Sequence, residues 1–130
     1  MGDDQVAAME PSVAEVYKGI VKPDDPPTLC CTLESRSASG SKVWIQVMPG
    51  TVNMGYPFAT EPLELLRNRC VDTPPGMYLV EWNANEYATF GFENVSPHDH
   101  ATFVDQLFVR VLGCDDATYE LGISSEPLDP

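Results

Sequence analysis

The sequence predicts an α+β domain: a twisted antiparallel sheet of about five strands with helices packed on one face. Three observations carry that expectation. Short strand-like runs come in neighbouring pairs joined by turns, most clearly across MYLVEW and EYATFGF. One long amphipathic helix, Ser96–Gly113, has both of its ends marked in the sequence. No strand–helix pair opens on the glycine-rich turn of a nucleotide-binding fold. With 130 residues, 43% of them apolar, the chain has the material for one domain and a modest core.

Residues 1–11 are acidic and are expected to be a tail, with a single domain over 12–124 and a second tail over 125–130. From Ser12 the residues Val13, Val16, Tyr17 and Ile20 fall at helical spacing, with Ser12 as the cap. The β-branched content makes a strand the competing assignment there. KPDDPP, at 22–27, breaks whatever precedes it. TLCCTLESR, at 28–36, is a strand, and SASGS is a hairpin loop. KVWIQVM, at 42–48, is the strongest strand, with Val43, Ile45 and Val47 on one face and Trp44, Gln46 and Met48 on the other. Pro49-Gly50 ends it. TVNMGYPF, at 51–58, is expected to be irregular or a short edge strand, because Gly55 and Pro57 interrupt it. TEPLELLRNRC, at 60–70, is a short helix capped by Thr60, burying Leu63, Leu66 and Cys70.

VDTPPG connects to the next hairpin, whose turn Asn83-Ala84-Asn85 supplies asparagines that tolerate positive φ. Tyr78, Val80 and Trp82 should alternate onto one face of its first strand, and Ala88, Phe90 and Phe92 onto one face of the second. In the long helix, Ser96 accepts free N–H groups and Pro97 stands where its missing N–H costs nothing. Asp99 and Arg110 have the signs that the helix dipole favours at their ends, and Gly113 is placed to stop the helix in a left-handed conformation. Phe103, Val104, Leu107, Phe108, Val111 and Leu112 form the stripe that must be buried. Asp115-Asp116 is a turn and TYELGIS, at 118–124, the last strand.

Twenty acidic residues against seven basic ones give a formal charge of −13. Nucleic-acid phosphate and anionic membrane would repel such a chain; its acidic surface either suits a basic protein partner or serves only to keep the protein in solution. No apolar run approaches the roughly 18 residues a membrane span needs. The acidic start lacks a signal peptide's basic and apolar regions, and Val6 breaks the myristoylation pattern. A cytoplasmic protein with four reduced cysteines is the expectation.

Chemistry-bearing residues are few. His98 and His100 lie two apart on a helix, pointing about 200° from one another, so they are poorly placed to share a metal. Their expected setting is a solvated first turn. Cys30, Cys31, Cys70 and Cys114 make no C-x-x-C pair, and adjacent strand cysteines face opposite ways. Buried thiols acting as small hydrophobes account for them. Glu81, Glu86 and Asp105 are available carboxylates, but so large an acidic complement makes any pair uninformative. No cofactor, metal site or catalytic residue is assigned. The candidate binding residues are aromatic and sulfur-bearing: Trp44, Met48, Tyr78 and Trp82. They form an apolar sheet face that either meets a partner or is covered by the tails and the N-terminal helix.

The stretches VWIQVMPGTVNMGYPF, MYLVEW and ATFVDQLFVRVLG, about half of the chain, resemble the type III secretion chaperone-like superfamily, in particular the YbjN and TY-Chap types of small bacterial proteins. The resemblance implies an α+β fold, dimerisation, and the binding of another protein rather than catalysis. The acidic charge is similar to that of secretion chaperones, while the expected first helix is shorter than theirs. The leading expectation is a non-enzymatic, chaperone-like protein-binding module. The alternatives are an immunity-type inhibitor whose acidic surface blocks a basic toxin or nuclease, and a small enzyme using a cysteine or carboxylates.

Overall fold

The computed structural model describes residues 3–18, 29–93, 95–114 and 119–127. The chain runs α1 (Asp3–Lys18), β1 (Leu29–Arg36), β2 (Lys42–Met48), β3 (Thr51–Gly55), α2 (Pro62–Asn68), β4 (Tyr78–Asn83), β5 (Tyr87–Gly91), α3 (Pro97–Gln106) and β6 (Gly122–Pro127). The strands form one antiparallel sheet of six, in the order β4-β5-β3-β2-β1-β6. The α+β fold expected from the sequence is the fold observed. The expected break at KPDDPP, the turn at Asp115-Asp116 and the position of Ile20 lie outside the described residues.

Alternation decides which face of the sheet is buried. Cys31, Leu33, Val43, Ile45, Val47, Val52, Met54, Ala88 and Phe90 all point to one side and are buried there. Against them lie Val6, Met9, Val13 and Val16 of α1, Leu65 and Leu66 of α2, and the stripe of α3. Phe103 of α3 meets Phe90 and Phe92 edge-on, at ring separations of 5.9 and 5.6 Å. The helices thus cover one face, as expected.

The long helix keeps its marked ends. Ser96 Oγ accepts from the Asp99 N–H at 3.1 Å, Pro97 follows it, and Gly113 stands at φ 77°. Its last turn, Leu107–Val111, is a π-helix, with the Leu112 N–H reaching back to the Leu107 carbonyl at 2.9 Å. The widened turn keeps Leu107, Phe108, Val111 and Leu112 all in the core.

Several expected boundaries and faces are corrected. Residues 3–11 are helix rather than the expected tail: α1 spans sixteen residues and passes through Pro11. Val6, Met9, Val13 and Val16 make one stripe, and its burial overrides the cost of a proline inside the helix. The expected short first helix is therefore corrected as well. At the other end, β6 runs to Pro127 beside β1, so residues 125–127 belong to the sheet rather than to a tail.

β3 is not an edge strand. It lies between β2 and β5, with Val52 and Met54 fully buried, and Pro57 falls beyond its end. α2 is capped by Glu61, not Thr60: the Glu61 carboxylate accepts from the Leu63 and Glu64 N–H groups at 3.1 and 2.9 Å. Its buried residues are Pro62, Leu65 and Leu66. Cys70 is exposed and sits beyond the helix at φ 56°.

In β4 the register with β5 shifts between Leu79 and Glu81. This bulge at Val80 reverses the alternation, so Leu79 and Trp82 share the helix-covered face while Tyr78 and Glu81 share the other. Tyr78, Val80 and Trp82 do not form one face.

Candidate functional site: the open face of the sheet

The face turned away from the helices is built in three cross-strand rows. Met48, Thr51, Gly91 and Tyr78 make the first. Thr32, Gln46, Asn53, Thr89 and Glu81 make the second. Glu34, Trp44, Gly55, Tyr87 and Asn83 make the third. Cross-strand neighbours stand close enough to interact directly.

The middle row is polar and hydrogen-bonded along its length. Thr89 Oγ1 donates to Asn53 Oδ1 at 2.8 Å, and Asn53 Nδ2 donates to Gln46 Oε1 at 3.2 Å. The outer rows carry aromatic rings laid on glycines. A Cβ on Gly91 would sit 2.6 Å from the Tyr78 ring, and one on Gly55 would sit 2.7 Å from Trp44 Nε1. Glycine is what lets each ring lie down against the backbone. The other side of the Tyr78 ring is open, since 49% of the residue remains exposed. Trp44, Met48 and Tyr87 are half-buried.

The charges on this face are mixed: Glu34 and Glu81 are negative, while Arg36 and Lys42, in phase with Glu34 and Trp44, are positive at its rim. Tyr87 donates its hydroxyl to Glu81 at 2.7 Å, and this bond holds the phenol above its ordinary pKa. Glu34 pairs with Lys42 at 3.3 Å. Exposed pairs of this kind contribute little stability, so they leave the face available for other contacts.

Of the four residues expected to bind a partner, Trp44, Met48 and Tyr78 lie on the open face. Trp82 does not. It lies on the helix-covered face, edge-on to Tyr56 at 6.1 Å, because of the bulge at Val80. Gln46, expected beside Trp44 and Met48, lies there; Tyr87, Asn53 and Thr89 were missed as members of the face. Strict alternation in β3 and β5 would have found them, because they fall out of phase with Val52, Met54, Ala88 and Phe90.

The other candidates are scattered. His98 is exposed and pairs with Glu10 of α1 at 3.2 Å. His100, expected in a solvated turn, is instead fully buried against Phe92 at 5.1 Å. Burial pushes its pKa down from 6.5 to about 4, against the pull of a hydrogen bond with the Thr51 backbone. Asp105 is buried and accepts the Tyr119 hydroxyl at 2.6 Å. Glu86 accepts from Asn83 Nδ2 at 2.7 Å. Cys30, Cys31 and Cys114 are buried, whereas Cys70 is exposed. Among the described residues, no three His, Cys, Asp or Glu side chains are grouped to hold a metal ion, and no helix is long and apolar enough to cross a membrane.

No protein-family model, curated protein or solved structure matches the chain.

Proposed function

We propose that this chain is an acidic, chaperone-like protein-binding module that holds a segment of a basic partner on the open face of its sheet. Binding rather than catalysis is its role, in the cytoplasm. The observation that carries the reading is the one-sided packing of the helices. They cover one face of the six-stranded sheet, and the opposite face presents Trp44, Met48, Tyr78 and Tyr87 around a polar row. Flat aromatic rings beside amides and carboxylates suit a segment that carries both apolar and basic side chains. The net charge of −13 draws such a partner in and makes its association fast at low salt. The likeness to secretion chaperones implies the same kind of role.

The test compares tagged wild type with a Trp44→Ser, Met48→Ser, Tyr78→Ser variant in capture from a native lysate at moderate salt. These residues lie off the helix-covered core, so the variant should fold, which circular dichroism checks. Wild type should enrich a basic protein near equal stoichiometry, and the variant should lose it. Equal capture by a folded variant would overturn the reading.

A further inference from the structure

At one end of the sheet the β1–β2 hairpin, the chain after β3 and the closing turn of α3 border an open groove of about 420 Å³. Its walls mix two chemistries. Val43, Phe58 and Leu112 are apolar, while Ser37, Ser41 and Arg69 are polar or charged. That volume falls within the roughly 300–1,000 Å³ usual for small-molecule sites.

Arg69 is the informative residue. Its Nη1 donates to the Arg110 carbonyl at 3.0 Å, and its guanidinium stands 5.7 Å from the centre of the Phe58 ring. These two contacts hold the fork in place with further N–H donors unspent. The chain has twenty carboxylates for seven basic side chains. Yet among the described residues none pairs with Arg69. Arg36 and Lys42 flank the same hairpin, and a smaller cavity of about 180 Å³ that shares Val43, Pro57 and Leu112 with the groove is lined by Lys42. Lys42 is paired with Glu34, and Glu86 lines the smaller cavity too, which leaves Arg69, among the described residues, as the cation that faces the groove itself.

We propose that the groove binds a small carboxylic acid with an apolar body, its carboxylate on Arg69 and its chain against Val43, Phe58 and Leu112. A planar, positioned guanidinium matches a carboxylate with two parallel hydrogen bonds, and the apolar wall favours a hydrocarbon tail over a hydrated inorganic anion. The site is separate from the open sheet face, so the two proposals stand or fall independently.

The probe is octanoate, with 1-octanol as the same chain without the charge, followed by amide NMR shifts of the ¹⁵N-labelled protein. Octanoate should shift the amides of Ser37–Ser41 and Val111–Gly113 saturably, at concentrations below micelle formation, and should bind at least about tenfold more tightly than octanol. Arg69→Met keeps a stem over Phe58 and removes the charge. It should abolish the octanoate preference while leaving octanol binding unchanged, and Arg69→Lys should restore part of it. Equal affinity for the two probes in wild type would overturn the proposal. So would shifts that do not saturate, shifts outside the groove, or a preference that survives in Arg69→Met.

Discussion

Tyr119→Phe is the substitution whose cost follows most directly from the geometry. Tyr119 enters the core just ahead of β6 and gives its hydroxyl to Asp105 of α3 at 2.6 Å, with the two residues only 5% and 2% exposed. Phenylalanine keeps the ring, and with it the tilted contact to Phe108 at 5.4 Å. What is lost is one buried hydrogen bond to a carboxyl group, a loss that costs about 1–3 kcal/mol. A small domain loses about 1–3 kcal/mol of stability per molar urea, so the unfolding midpoint should fall by about 1 M with an unchanged slope. Burial, and then the bond to Asp105, also hold the Tyr119 phenol well above its ordinary pKa of 10.0. A raised folded-state pKa gives stability that is complete below the unfolded value and is lost as pH rises past it. Wild type should therefore weaken above about pH 10, and Tyr119→Phe should weaken less steeply; the remainder comes in part from Tyr56, pushed up to about 12. An unchanged urea midpoint, or an identical alkaline profile, would refute the account of this bond.

Acid should act through His100. Its depressed pKa means that stability present above pH 6.5 is lost as pH falls toward about 4, an amount of about 3 kcal/mol. Urea midpoints measured across that window should fall in wild type and fall less in His100→Gln. At the start of α3, Ser96→Ala removes the acceptor for the Asp99 N–H and should lower stability by about 1 kcal/mol, read from the same denaturation curves.

Local chemistry made much of this fold legible. The β2 strand, the asparagine turn and the long helix were all readable because each states its own boundaries: alternation in Val43–Val47, positive φ at Asn85, and a cap, proline and glycine around α3. What escaped was set by tertiary packing. The acidity of residues 1–11 points to a tail, yet the buried stripe from Val6 to Val16 carries a helix through Pro11. Gly55 looked like a strand breaker, yet it is the seat of the Trp44 indole in an interior strand. One bulged residue, Val80, moved Trp82 to the opposite face from Trp44. The candidate surface was therefore readable as a set of residue types but not as a set of neighbours, because register is a property of strand pairs.

That separation of the two tryptophans supplies the most direct test. In Trp82→Phe, Trp44 is the sole tryptophan and reports from the open face alone. Acrylamide quenching of its fluorescence would be compared for the free protein and for the complex with the captured partner. If a partner segment lies on this face, quenching falls sharply in the complex. If Trp44 stays as accessible in the complex as in the free protein, the partner binds elsewhere and the central claim is wrong.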